Sequence, residues 1–124
     1  MLKVGIIGVG TVGASVANIL RDNKNIITAR AGIEIVPTIG VVSNLHKTRN
    51  VDIKLSDNID DVLNDDSIDV VVELMGGIDK PNEIVRKALL KGKAVVTANK
   101  ALLAYHRYEL QELAGDIPFE FEAA

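Results

Sequence analysis

Short aliphatic runs that alternate with helical segments constrain the fold of this chain more than any other feature. The runs typical of strands are residues 2–7, 33–43, 51–55, 69–74, 94–97 and 119–124. Most are rich in Val, Ile and Leu and end at residues that favour turns. Strands separated by helices and short turns pair in parallel through crossover connections. The pattern therefore predicts an α/β domain, with a mostly parallel sheet and helices on both faces.

The helical segments follow from apolar spacings of three and four and from their boundary residues. Pro37 should turn the first half of the second strand into an edge or a bend. The helix that opens at Asp79-Lys80-Pro81 should end at Gly92, and the last helix should be broken near His106 and Arg107. The predicted helices are residues 11–21, 23–31, 58–66, 79–92 and 99–115.

Composition fits this fold and excludes several functions. The 124 residues suit one domain, and 48% apolar residues with only 3% aromatic ones indicate an aliphatic core. A net charge of −3 argues against a nucleic-acid or anionic-membrane partner, and the lack of cysteine excludes disulfides and thiolate chemistry. The chain starts directly in a strand pattern, without a signal-peptide layout or a membrane-spanning run, so we expect a cytoplasmic protein.

A glycine motif, Gly8-Val9-Gly10-Thr11-Val12-Gly13, directly follows the first strand and opens a helix. In that context the first glycine permits a tight turn, the second lets a pyrophosphate approach the backbone, and the third lets helix and strand pack closely. The N–H groups around Thr11 and Val12 would face the phosphates. The motif predicts a dinucleotide site of the Rossmann type, in a doubly wound sheet. The alternative is a glycine-rich turn without a ligand.

The residues after the second strand bear on the choice between the two nicotinamide cofactors. An acidic residue there would hold the ribose 2′-hydroxyl of NAD, and a basic residue would accommodate the 2′-phosphate of NADP. No acid occurs between Glu34 and Asp52, whereas Ser43, Lys47 and Arg49 can donate hydrogen bonds or supply charge. This favours NADP over NAD. The alternative, that Lys47 and Arg49 only solvate a loop, stays open.

Met75, Gly76 and Gly77 follow the fourth strand, which should lie across the switch point of the sheet from the first strand. Backbone there can approach a ligand at its nicotinamide end, although two glycines also suit an ordinary turn. Glu73, inside the strand, needs a partner if it is buried, and we expect that partner to be structural.

Thr97, Asn99 and Lys100 lie at the carboxyl end of the fifth strand, at the edge where such sheets bind ligands. Thr97 or Asn99 can cap the next helix, and Lys100 could then reach the nicotinamide and polarise a substrate oxygen. On the residues alone, a surface lysine is the simpler interpretation. His46 and His106 lack the spacing of metal ligands.

Four stretches in this order resemble homoserine dehydrogenase: "VGIIGVGTVG", "VVVELMGG", "GKAVVTANKALLA" and "FEFEAA". The resemblance is to the amino-terminal, nucleotide-binding part of that family and covers essentially the whole chain. It implies reduction of aspartate 4-semialdehyde to homoserine by NADPH or NADH. It also implies that Lys100 contacts cofactor and substrate, which favours a catalytic role for that residue.

The resemblance further implies that residues 1–124 are the nucleotide-binding domain of a longer protein. In the family the last strand leads into a separate catalytic and dimerisation domain, so the longer protein would be a homodimer and this chain alone inactive. The glutamate at the Glu122 position begins a sodium-binding loop in the family. Two alternatives remain: a stand-alone dinucleotide-sensing module, and another amino-acid dehydrogenase on the same fold.

Overall fold

A computed structural model of the chain describes residues 2–8, 35–43 and 53–121. Within these ranges six strands form one sheet in the order β3-β2-β1-β4-β5-β6, and every neighbouring pair is parallel. This is the Rossmann order, in which the crevice outside the carboxyl ends of the strands binds ligands where the strand order reverses, between β1 and β4. The prediction of a doubly wound α/β fold is confirmed. The strands are β1 (Leu2–Ile7), β2 (Ile35–Val41), β3 (Lys54–Ser56), β4 (Val70–Glu73), β5 (Ala94–Thr97) and β6 (Phe119–Phe121).

The strand boundaries follow the sequence pattern closely, with one informative irregularity in β2. Pro37 pairs with Val4 of β1, whereas the next pairing joins Ile39 to Gly5, so that Thr38 is an extra residue. Pro37 has no N–H to donate to a ladder, which is why prolines within sheets sit at edges or bulges. The expected disturbance of the first half of this strand is confirmed. The third strand is displaced towards Ser56 from the predicted residues 51–55, of which the first two lie outside the described residues.

Three helices lie within the described ranges: α1 (Asp60–Leu63), α2 (Asp79–Leu90) and α3 (Lys100–Ala114). The predicted break near His106 and Arg107 is wrong, because α3 runs through both residues. Its buried residues, Leu102, Leu110 and Ala114, recur at multiples of four and lie on one side of the helix. The Arg107 guanidinium lies 5.0 Å from the ring centroid of Phe121 and so links the helix to β6. The helices predicted at residues 11–21 and 23–31 lie outside the described residues.

The core occupies both faces of the sheet. On one face Ile7, Val71 and Val95 pack with the buried residues of α1, α2 and α3. On the other face Val4, Ile6, Val70, Val72 and Val96 form a second buried cluster. Gly5 faces α1, where an added Cβ would lie 2.6 Å from Val62 Cγ1. The aliphatic composition thus reflects strands that are buried on both faces.

A buried lysine holds the amino-terminal edge of the sheet together. Lys93 directly precedes β5 and is 5% exposed. Its Nζ donates hydrogen bonds to the carbonyl oxygens of Asp65, at 2.7 Å, and Ile68, at 2.8 Å. These contacts fix the turn that leads into β4, on the side of the sheet opposite the strand ends that form the candidate site.

Candidate functional site

A cleft of about 330 Å³ lies at the carboxyl ends of β1, β2, β3 and β4. It is the described cavity that best matches the ligand crevice of a doubly wound sheet. Its wall combines aliphatic side chains, backbone and three polar or charged residues of the neighbouring loops and helix. The lining residues are Ile7, Gly8, Val41, Val42, Ser43, Asp57, Ile59, Leu74, Met75, Gly76 and Lys80.

Gly8 forms the floor of this cleft and has no room for a side chain. Its φ is +96°, and an added Cβ would lie 2.9 Å from Leu74 C and Met75 N. The N–H of Gly8 donates to Val41 O at 2.9 Å, which ties the end of β1 to the end of β2. A positive φ and this lack of room fit the tight turn that the first glycine of the motif permits at the end of β1.

The structure brings together four of the predicted cofactor residues. Gly8, Ser43, Met75 and Gly76 all line the cleft, although they come from three separate stretches of the chain. Gly77, Thr97, Asn99 and Lys100 lie beside it, on the loop after β4, at the end of β5 and at the start of α3. That each of them contacts a cofactor stays a prediction. The remaining predicted residues lie outside the described residues: Val9, Gly10, Thr11, Val12, Gly13, Lys47, Arg49 and, for sodium, Glu122.

Thr97 and Glu73 are paired across β4 and β5 and are almost wholly buried. The Thr97 hydroxyl donates to Glu73 Oε1 at 3.1 Å and accepts the N–H of Asn99 at 3.1 Å. The other carboxylate oxygen of Glu73, Oε2, accepts the N–H of Met75 at 2.7 Å. The expected partner of Glu73 is therefore found, and it is structural.

Asn99 is the N-cap of α3 and also a clamp on the loop after β4. Its Oδ1 accepts the N–H of Leu102 at 3.0 Å, as a capping side chain does. Its Nδ2 donates to Met75 O at 3.2 Å and to Gly77 O at 2.8 Å. One side chain thus fixes the start of the helix relative to the loop that lines the cleft.

Lys100 is the first residue of α3 and is exposed. Within the described ranges its ammonium group makes no hydrogen bond or ion pair. Helix N-termini disfavour cations, so a lysine at this position gains nothing from the helix itself. The cap by Asn99 sets where the side chain leaves the helix, beside the carboxyl ends of β4 and β5.

Two charged lining residues were missed by the sequence analysis. Asp57 directly follows β3, and Lys80 lies in the first turn of α2. Both line the cleft with Ser43. The one sequence signal that points to Asp57 is its position directly after a strand. Lys80 has no such signal, because it reaches the cleft only through the placement of α2 in the fold.

Glu73 gives the site a measurable pH dependence. Burial raises the pKa of its carboxyl above the ordinary value of 4.5, although the hydrogen bonds from Thr97 and Met75 act in the opposite direction. The folded state then holds this proton more tightly than the unfolded state does. The stability that it contributes is fully present below about pH 4.5 and is lost as the pH rises through the raised pKa.

We therefore expect Glu73→Gln, which cannot ionise, to gain stability relative to the unsubstituted chain as the pH rises from 4.5. Urea unfolding of both chains at a series of pH values measures the difference in the free energy of unfolding. A difference that stays constant, or that moves in favour of glutamate with rising pH, would contradict the raised pKa.

Within the described residues, no three His, Asp or Glu side chains converge as a metal site requires, and no helix is long and apolar enough to cross a membrane.

Comparison with known proteins identifies the family. A family model described as the NAD-binding domain of homoserine dehydrogenase matches residues 8–118. The chain belongs to this family. The resemblance found in the sequence is confirmed, and the match to this model, rather than to another amino-acid dehydrogenase, decides between those two interpretations. The description of the model as an NAD-binding domain fits the cleft and the tight turn at Gly8.

Relatives and solved structures agree with this assignment. The homoserine dehydrogenase of Helicobacter pylori is 46% identical over 123 residues, which are 99% of this chain and 29% of that protein. The crystal structure of S. aureus homoserine dehydrogenase at pH 7.0 is 37% identical and superposes with a TM-score of 0.79, over 98% of this chain and 32% of that one. The Thiobacillus denitrificans enzyme gives 40% identity and a TM-score of 0.71, over 91% and 27%. The chain thus spans less than a third of the length of these relatives.

Proposed function

We propose that this chain is the cofactor-binding part of a homoserine dehydrogenase, which reduces aspartate 4-semialdehyde to homoserine with a reduced nicotinamide dinucleotide. The observation that carries the proposal is the family match over residues 8–118, which contain the cleft and the strand ends around it. The remaining machinery of such an enzyme would belong to the part of the relatives that this chain does not span. The cytoplasmic location, the homodimer and the sodium ion stay predictions.

Each part of the site has a distinct task in this proposal. The bound cofactor supplies the hydride for reduction of the aldehyde. Gly8 forms the tight turn that opens the glycine motif, whose second glycine, Gly10, lets the pyrophosphate approach, and Met75 and Gly76 line the path towards the nicotinamide. Lys100, placed by the cap at Asn99, orients or polarises the aldehyde oxygen, on which negative charge develops.

We further propose that NADP is preferred over NAD, through Ser43, Lys47 and Arg49. Ser43 lines the cleft at the end of β2, where the adenosine ribose binds in this fold. Lys47 and Arg49 follow within the same loop sequence and can supply positive charge to a 2′-phosphate. Asp57 opposes this preference, because a carboxylate on the same cleft repels a phosphate and can accept hydrogen bonds from ribose hydroxyls.

Nucleotide binding to this chain tests both the function and the preference. We expect the double variant Lys47→Ala/Arg49→Ala to weaken NADPH binding by at least about tenfold and to leave NADH within about twofold, because two charge-assisted contacts to the 2′-phosphate are lost. Asp57→Asn should shift the preference the opposite way, towards NADPH. Calorimetry at low and high salt measures both.

Equal affinities for the two cofactors, unchanged in the double variant, would remove the case for NADP and leave the dinucleotide site standing. Failure of the unsubstituted chain to bind either cofactor would contradict the proposed function of the isolated domain.

A further inference from the structure

Glu73 is a charged residue in a position where the sheet needs only an apolar one. It ends β4 after three buried valines, Val70, Val71 and Val72, and it is 0% exposed. Removing a carboxylate from water is costly unless its oxygens find donors, and an aliphatic residue would avoid that cost. Within the described residues no lysine or arginine approaches it. Its presence therefore needs an explanation other than packing.

The two oxygens of Glu73 bind two different segments of the candidate site. Oε2 accepts from the N–H of Met75, which lines the cleft, at 2.7 Å. Oε1 accepts from the hydroxyl of Thr97, which ends β5, at 3.1 Å. The side chain thus spans from the loop after β4 to the strand that leads into α3.

These contacts close into a ring of hydrogen bonds. Thr97 accepts the N–H of Asn99, and the Asn99 amide returns to the carbonyl of Met75 and reaches that of Gly77. The ring therefore contains Glu73, Met75, Asn99 and Thr97. Through it, the loop that lines the cleft and the first turn of α3, with Lys100, hold one fixed arrangement. Networks of this kind rigidify a site when every member is satisfied.

We propose that Glu73 is a positioning residue for the nicotinamide end of the cofactor. It sets the loop of Met75, Gly76 and Gly77 relative to Lys100, and it touches neither the cofactor nor the substrate. The inference rests on the proposed function, since it assumes that the loop after β4 faces the nicotinamide. It assigns Glu73 a role in binding one end of the dinucleotide and none in binding the adenosine end.

That difference between the two ends supplies the test. NADH and ADP-ribose share the adenosine and the pyrophosphate, and only NADH carries the nicotinamide. We expect Glu73→Gln to raise the Kd for NADH by about tenfold and to leave the Kd for ADP-ribose within about twofold, because glutamine cannot accept from both donors. The fluorescence gained by the nicotinamide of NADH on binding should fall as well.

Two further variants separate positioning from general loss of stability. Thr97→Val opens the ring with little change in volume, because it removes the hydrogen bond to Glu73 Oε1 and the one from the Asn99 N–H, and it decides the question if Glu73→Gln does not fold. Lys93→Met is the matched control, since it removes two buried hydrogen bonds at the opposite edge of the sheet. It should leave the ratio of the two Kd values unchanged.

The proposal is overturned if Glu73→Gln and Thr97→Val weaken NADH and ADP-ribose equally, or weaken neither. It is also overturned if Lys93→Met changes the ratio as much as they do, or if the unsubstituted chain binds NADH no more tightly than ADP-ribose. Each of these results leaves the proposed function standing. Failure of the unsubstituted chain to bind either ligand would overturn the proposed function, and this inference with it.

Discussion

Replacing Gly8 with alanine should lower the free energy of unfolding by about 3 to 4 kcal/mol and weaken dinucleotide binding by at least about tenfold. Two costs combine at this position. A φ of +96° is a conformation that alanine adopts only under strain. In addition, the new Cβ would lie 2.9 Å from backbone atoms of Leu74 and Met75, which cannot move aside as a flexible side chain can. The loop after β4 would have to shift, and the cleft with it.

Gly92→Ala is the matched control for this experiment. Gly92 also has a positive φ, +78°, but no atom lies within 4 Å of an added Cβ there. It should cost only the backbone strain, about 1 to 2 kcal/mol, and leave nucleotide binding unchanged. Urea unfolding and calorimetric titration with NADPH or NADH measure both properties. Equal losses of stability in the two variants would show that the close approach between Gly8 and the loop adds nothing to the cost of the substitution.

The architecture could be predicted because it depends on local patterns. Buried parallel strands appear as short aliphatic runs, and β1 and β5 have the predicted bounds of 2–7 and 94–97. The error in α3 has a physical cause. His106 and Arg107 look like a polar interruption, yet the helix continues past both, because Leu102, Leu110 and Ala114 are buried along one side of it. Arg107 is held by stacking on Phe121, a contact with a residue 14 positions further along the chain.

The candidate site was less predictable because sheet order assembles it. Ser43, Met75 and Gly76 were found, since each follows a strand and such residues share one edge of a parallel sheet. Lys80 was missed because no local pattern reports that the first turn of a helix faces a cleft. The same limit applies to Thr97, whose hydroxyl binds a carboxylate 24 residues earlier in the chain. The sequence shows a polar residue at a strand end and does not show whether it faces a ligand or a neighbouring strand.

Asn99 combines two tasks in one side chain, and its removal should have the second large effect. Asn99→Ala loses the N-cap of α3 and both hydrogen bonds to the loop after β4. An N-cap contributes about 1 kcal/mol, and each of the other bonds about 0.5 to 1.5 kcal/mol. We expect the free energy of unfolding to fall by about 2 to 3 kcal/mol, measured by urea unfolding. Nucleotide binding should weaken as well, because the loop is released.

Asn99→Ser separates the two tasks. Serine is a good N-cap and can still accept the N–H of Leu102, but it is too short to reach the carbonyls of Met75 and Gly77. It should therefore lose about 1 to 2 kcal/mol, less than the alanine variant, and keep the Leu102 amide protected from hydrogen exchange. Nucleotide binding should weaken equally in both variants, since both release the loop. If the serine variant bound the cofactor as tightly as the unsubstituted chain, the clamp on the loop would have no part in binding, and Asn99 would act on α3 alone.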